Sequence, residues 1–140
     1  MSELVNLSPI AAYQYLQDNA ETSVLIDIRS SMEYLFVGHP TGAVHVAWID
    51  EPDWDINPDF CNEVKQAIIS RCRNVDPKDA SVLLCCRSGK RTLDAGNALL
   101  EAGHYNVYHI DEGFESDRDD NNHRSTLGGW RFHGLPWEQC

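Results

Sequence analysis

The chain has 140 residues, 42% of them apolar and 24% charged, which is enough for one globular domain with a buried core. Its 22 acidic and 11 basic residues give a formal net charge of −11. Because nonspecific binding to nucleic acid or to an anionic membrane surface requires a basic face, we expect neither kind of partner. No apolar run approaches transmembrane length, and residues 1–10 lack the layout of a secretion signal.

The cysteines indicate the redox environment. There are five of them, an odd number, and their spacing fits neither a metal site nor a disulfide framework. Cys61 and Cys72 lie about three turns apart on a predicted helix, too far for a disulfide. We therefore expect a reduced, cytoplasmic protein without a metal or another cofactor.

The first half of the chain alternates between apolar runs of strand length and amphipathic helical stretches. Ser8 and Pro9 predict a helix start, because serine accepts hydrogen bonds from free N–H groups and proline suits the first helical position. Strands are predicted over residues 4–7, 23–28 and 43–47, and a helix over residues 59–74. Such alternation is typical of a parallel sheet with helices on both faces.

Asp27 and Arg29 lie at the end of the second predicted strand. Asp27 could take part in chemistry, or it could hold loop backbone by hydrogen bonds, which is the commoner role of a buried carboxylate. Arg29 could form an ion pair with Glu33, or Glu33 could belong to a solvated helix start. We expect Asp27 and Arg29 to support the site without reacting themselves.

The centre of the fold is predicted to be a strand, a loop and a helix, over residues 81–85, 86–91 and 93–102. Cys86 opens the loop at the carboxyl end of the strand and faces the helix N-terminus. The free N–H groups there favour a thiolate and attract anions. Adjacent strand residues point to opposite faces, so Cys85 is expected to be buried and unreactive while Cys86 enters the loop.

The loop is cationic in an otherwise acidic chain, because Arg87, Lys90 and Arg91 fall within five consecutive positions. A cluster of this kind attracts anions. We therefore expect the loop to bind an anionic substrate next to a nucleophilic Cys86.

Several motifs resemble the single-domain rhodanese-like sulfurtransferases. They are CRSGKR at residues 86–91, LIDIR at 25–29, GHPTGAVHV at 38–46 and YHIDEGF at 108–114. Two positions depart from the family pattern. The proline of the usual Gly-His-Ile-Pro-Gly-Ala motif stands one place earlier, at Pro40, and the sixth loop position, often Ser or Thr, is Arg91, with Thr92 after it.

The resemblance implies an α/β fold, namely a rhodanese-like three-layer α/β/α domain with a central parallel five-stranded sheet, formed by residues 1–140 as a single domain. It also implies an enzyme that moves a sulfane sulfur from thiosulfate or a related small anion to cyanide or a thiol, including a protein thiol. The sulfur would be held as a persulfide on Cys86. The implied substrate-binding residues are Arg87, Ser88, Gly89, Lys90, Arg91 and Thr92.

The C-terminal quarter is predicted to contain a mobile surface loop, residues 115–128, and an aromatic tail, residues 129–140, that packs on the domain. The loop begins like a calcium-binding loop, but its sixth and twelfth positions are Asn122 and Gly128 where glycine and glutamate are required. We therefore predict no metal there.

Two other function classes stay open. The first is a sulfur-carrier or binding module with little turnover of free thiosulfate, because a fold does not fix a function. The second is a cysteine-based phosphatase, which would need an arginine at position 92 counted from Cys86, where the chain has Thr92. Counting from Cys85 places Arg91 correctly but displaces Gly89. Faster sulfur transfer to a protein than to cyanide favours the carrier, and phosphate ester turnover favours the phosphatase.

Overall fold

The computed structural model describes residues 3–140, which form a five-stranded parallel sheet flanked by helices. In chain order the elements are β1 (Val5–Leu7), α1 (Pro9–Asp18), β2 (Ser23–Asp27), a π-helical turn (Glu33–Val37), β3 (His39–Pro40), β4 (Val44–His45), α2 (Phe60–Arg71), β5 (Ser81–Cys85), α3 (Arg91–Glu101), β6 (Asn106–Ile110) and β7 (Trp137–Glu138). The predicted α/β class with a central parallel five-stranded sheet is confirmed.

The five strands lie in the order β1-β6-β5-β2-β4. β5 is therefore the central strand, and all five of its residues are buried, as expected for a parallel strand covered on both faces. In its register with the neighbouring strands, Cys85 lies opposite Asp27 and Leu84 lies opposite His109. Because these strands are parallel, the carboxyl ends of β2, β5 and β6 lie side by side at the same end of the sheet.

Alternation along β5 gives the two faces of the sheet different partners. Val82, Leu84 and Cys86 belong to the core under α2 and α3. Leu83 and Cys85 belong to a second core, which contains Ala12 of α1 together with Phe114 and Trp130 from the C-terminal part of the chain. The two adjacent cysteines thus lie in different cores.

Local sequence signals set most helix boundaries. Ser8 accepts a hydrogen bond from the Ala11 N–H at 3.2 Å, and Pro9 is the first residue of α1, as predicted. α2 is shorter than predicted, because Cys72 adopts an extended conformation after Arg71. α3 begins at Arg91, two positions before the predicted start, so the end of the cationic loop lies in the first helical turn.

The C-terminal segment contacts the domain at several points. Trp130 is 1% exposed, and its ring packs edge-on against the Tyr13 ring, with 5.8 Å between the centroids. β7 pairs antiparallel with β3 as a separate two-stranded sheet. Within residues 115–128, the Asp119 carboxylate accepts hydrogen bonds from its own loop, including the His123 N–H at 2.9 Å. The mobility of this loop stays a prediction.

Candidate active site

The site is built around Cys86, the first residue after β5. The residue is 1% exposed, so its sulfur lies beneath the loop. The backbone N–H of Gly89 donates to the Cys86 sulfur over 3.2 Å. Because α3 begins only two residues later, the sulfur also lies near the positive end of an eleven-residue helix. Both features stabilise negative charge on sulfur.

The loop is held in place by the segment that follows β6. The Cys86 carbonyl accepts the Phe114 N–H at 2.8 Å, and the Arg87 carbonyl accepts the Glu115 N–H at 2.9 Å. Gly89 has a φ of +93°, and a Cβ there would overlap the carbonyl oxygen of Asp111. Only glycine both adopts this backbone conformation and leaves room for it. The N–H that contacts the sulfur is therefore positioned by a close backbone approach.

Cys85 and Cys86 point in opposite directions, as predicted. Cys85 is fully buried, and burial together with the negative charge of Asp27 raises the pKa of its thiol well above the ordinary value. A raised pKa disfavours the thiolate, which is the nucleophilic form of cysteine. The prediction that Cys85 completes the core is confirmed.

The three loop cations have different environments. Arg87 is exposed, and the Lys90 side chain is 82% exposed, with Asp117 at 3.9 Å. Arg91, by contrast, donates two hydrogen bonds to the Glu33 carboxylate, at 2.9 and 3.0 Å. Burial alone would raise the pKa of Glu33, but the bonds and charge of Arg91 outweigh it and lower that pKa to about 2. Part of the charge of Arg91 is thus already neutralised.

Asp27 and Arg29 form a fully buried ion pair. The Arg29 guanidinium donates to the Asp27 carboxylate at 2.7 and 2.9 Å, and the same carboxylate accepts the Arg29 backbone N–H at 3.1 Å. The guanidinium also donates to the Gly38 carbonyl and lies 4.6 Å from the centre of the Phe114 ring. Burial opposes the charge, yet Asp27 raises the pKa of Arg29 above its ordinary value.

These two residues lie on the Cys85 side of the sheet, because Asp27 is the register partner of Cys85. Their contacts are with the chain around the site and not with the Cys86 sulfur. Of the two alternatives for Glu33, neither describes the structure: its carboxylate pairs with Arg91, and the Arg29 side chain pairs with Asp27.

Sequence reasoning named Thr92 as a substrate-binding residue but missed the buried polar row that it forms behind the sulfur. Thr92 is fully buried, and its hydroxyl oxygen lies 3.9 Å from the Cys86 sulfur and 3.2 Å from Nδ1 of His109. The other ring nitrogen of His109 contacts Oδ1 of Asn6. Burial lowers the pKa of His109, and Asp111 opposes this in part. The only sequence signal for the rest of the row was His109, a polar residue on the same inward-facing side of its strand as Val107.

Within residues 3–140, no group of His, Cys, Asp or Glu side chains is arranged to hold a metal ion. Over the same residues, no helix combines the length and the apolar character needed to cross a bilayer.

Comparison with known protein families agrees with this architecture. Residues 10–119 match the family described as the Rhodanese-like domain. The chain belongs to this family. The expectation based on the loop and strand motifs is therefore confirmed.

Similar proteins extend the likeness over nearly the whole chain. The thiosulfate sulfurtransferase GlpE of Pseudomonas entomophila is 34% identical over 115 residues, which are 82% of this chain and 85% of GlpE. An uncharacterized protein of Rickettsia conorii is 28% identical over 95% of this chain and 96% of its own. The crystal structure of Rv0390 from M. tuberculosis matches with a TM-score of 0.81 at 33% identity, over 99% of this chain and 100% of Rv0390.

Proposed function

We propose that the protein is a sulfurtransferase that carries a sulfane sulfur as a persulfide on Cys86. The observation that carries this proposal is the Gly89 N–H at 3.2 Å from the Cys86 sulfur, at the N-terminus of α3. Such a cradle stabilises an anionic sulfur, whether thiolate or persulfide. Family membership and the similarity to a thiosulfate sulfurtransferase support the same chemistry.

In the first step the Cys86 thiolate attacks the outer sulfur of thiosulfate or a related anion. A sulfur–sulfur bond forms to Cys86, the bond between the two donor sulfurs breaks, and sulfite leaves with the bonding electron pair. The exposed cations Arg87 and Lys90 attract the donor's oxyanion end, while Arg91 remains tied to Glu33. Ser88 lies beside Gly89 in the same loop and is half-buried.

In the second step cyanide or a thiolate attacks the outer sulfur of the persulfide, and the Cys86 thiolate leaves. The enzyme returns to its starting state without gaining or losing a proton. Two half-reactions through a covalent intermediate produce ping-pong kinetics. In a reducing compartment such as the cytoplasm, thiols are abundant, and a thiol is the cellular acceptor that we propose.

The position of Thr92 argues against a phosphatase. A phosphatase loop that began at Cys86 would place its phosphate-binding arginine at this position. The chain places there a fully buried hydroxyl, 3.9 Å from the sulfur. Arg91, the alternative candidate, donates to Glu33, so its guanidinium is not free to hold a phosphoryl group.

The proposal is tested by initial rates measured over a grid of thiosulfate and cyanide concentrations. Parallel double-reciprocal lines are expected, with thiocyanate and sulfite formed in equal amounts. Intersecting lines, or turnover of p-nitrophenyl phosphate without thiocyanate, would contradict it. A persulfide that passes rapidly to a protein thiol but hardly to cyanide would instead support the carrier alternative.

A further inference from the structure

A row of polar side chains behind Cys86 connects the sulfur to β1, an edge strand of the sheet. It runs from the Cys86 sulfur to the Thr92 hydroxyl at 3.9 Å, then to His109 Nδ1 at 3.2 Å, and from His109 Nε2 to Asn6 Oδ1. β1, which carries Asn6, is an edge strand, and Asn6 is exposed. Asn6 and His109 are direct register partners, so strand pairing itself aligns the row.

The burial of this row affects how the Cys86 thiol can lose its proton. Cys86 is 1% exposed, Thr92 is fully buried and His109 is 5% exposed. So little of this thiol is exposed that bulk water is a poor acceptor for its proton, yet only the thiolate is a nucleophile. A buried neighbouring group that accepts the proton therefore favours the reactive form.

The contact between Asn6 and His109 determines which atoms of the row donate hydrogen bonds and which accept them. Asn6 Oδ1 is an acceptor and requires a proton on His109 Nε2, which leaves the lone pair of a neutral imidazole on Nδ1. The Thr92 hydroxyl donates to that lone pair, and its oxygen accepts from the Cys86 thiol. The Gly89 carbonyl, 3.1 Å from the Thr92 oxygen, competes for the hydroxyl proton but is a weaker base than imidazole.

We infer that His109 accepts, through the Thr92 hydroxyl, the proton that the Cys86 thiol gives up when it becomes a nucleophile. The thiol proton passes to the Thr92 oxygen while the hydroxyl proton passes to His109 Nδ1. A thiolate and an imidazolium result, with no change in total charge. His109 is a positioning residue in this scheme, because it reaches the sulfur only through Thr92. The inference deepens the proposed function and rests on Cys86 being the nucleophile.

The surroundings of His109 allow it to hold this proton. Burial lowers the pKa of His109 and so opposes this charge, whereas the two titratable groups near the ring favour it. They are Asp111, the residue after the end of β6, and Cys86, which His109 reaches through Thr92. Its partners from β1 and α3, Asn6 and Thr92, are uncharged. A new imidazolium therefore faces one carboxylate and one sulfur anion, both of which favour the charge.

The test measures how fast iodoacetamide alkylates Cys86 as a function of pH, with the modified residue identified by mass spectrometry. No sulfur donor is present, so the experiment addresses the proton path independently of sulfur transfer. His109→Gln and Thr92→Val should each lower the rate at pH 7 about tenfold, the change that one pH unit in the titration of a thiol produces. Both should also move the pH of half-maximal rate upward.

Three further variants separate a proton path from a structural role. Thr92→Ser keeps the hydroxyl and should retain the wild-type profile, as should His123→Gln in the exposed loop. The double variant of His109 and Thr92 should lose no more than either single variant, because both interrupt one path. Additive losses, or a wild-type pH profile in a folded His109→Gln variant, would overturn the inference.

Nitrogen chemical shifts of His109 in the wild-type protein provide a reading that needs no variant. In the thiol form Nε2 should be protonated and Nδ1 unprotonated, and both should be protonated once the thiolate forms. A proton on Nδ1 in the thiol form would contradict the path. If the path fails in these experiments while wild-type protein still gains sulfur from thiosulfate, the proposed function stands without it.

Discussion

Replacing Glu33 by glutamine tests whether the ion pair with Arg91 stabilises the loop. The substitution keeps the shape of the side chain and removes its charge. Arg91 is then left half-buried beside a neutral amide, with both of its strong hydrogen bonds weakened. We expect the variant to be less stable than the wild type near neutral pH.

The magnitude follows from the pKa of Glu33. A fall from the ordinary value of 4.5 to about 2 corresponds to at most about 3 kcal/mol. The side chains of Arg91 and Glu33 are 27% and 20% exposed, so solvent screens the pair. A loss of about 1–2 kcal/mol at pH 7 is the result to expect.

The sign of the pH dependence is fixed by the direction of this change. A carboxylate whose folded pKa is depressed contributes its full stability above the unfolded pKa and loses that contribution as pH falls through the folded value. The difference between wild type and Glu33→Gln should therefore be complete at pH 7, about half as large near pH 3.3, and close to zero below pH 2.

Urea unfolding of both proteins at pH 7, pH 5 and pH 3.3 measures this difference directly. Glu101→Gln, on the exposed end of α3, is the matched control and should change stability by less than about 0.5 kcal/mol. A difference that stays constant over this pH range, or one no larger than that of the control, would refute the assignment of the stability to this pair.

Three further predictions concern the loop and its strand. Cys85→Ser should keep persulfide formation, measured by mass, and lose about 1–3 kcal/mol in urea unfolding because a polar hydroxyl replaces a thiol in an apolar core. Replacing Arg87 and Lys90 together by glutamine should raise the KM for thiosulfate, and the increase should shrink above about 0.15 M salt as the charges are screened; a KM that does not respond to salt in either protein would remove these residues from donor binding. Gly89→Ala should abolish persulfide formation, whereas Gly42→Ala, which also has a positive φ but nothing within 4 Å of the added Cβ, should retain it. Equal activity of the two glycine variants would show that the close approach at Gly89 is unimportant.

The strand, loop and helix around Cys86 could be predicted because their signals are local. An apolar run of strand length, a polar loop and helical spacing of apolar residues are all contained in residues 81–102. Strict alternation along a strand was enough to assign Cys85 and Cys86 to opposite faces. The first turn of α3 was missed, since Arg91 and Thr92 belong to the loop by composition and to the helix by conformation.

The remaining contacts could not be predicted because they join distant parts of the chain. Glu33 and Arg91 are 58 positions apart, and Asn6 and His109 are 103 positions apart. Which residues meet across such separations depends on strand order and register, and periodicity carries no information about either. The pairing of β7 with β3 is of the same kind.

Contacts between distant residues also decide which charges of the loop are already paired. Clustering in the sequence made Arg91 look equivalent to its cationic neighbours, although the fold supplies it with a carboxylate. A cation count in the sequence therefore overstates how many charges of the loop remain available to a substrate.

The central claim is that sulfur is carried on Cys86, and an intact-mass spectrum tests it most directly. Wild-type protein exposed to thiosulfate and freed of small molecules should gain the mass of a single sulfur atom and lose it on addition of cyanide. Cys86→Ser should gain none. A cyanide-labile sulfur on the Cys86→Ser variant, or none on the wild type, would contradict the account.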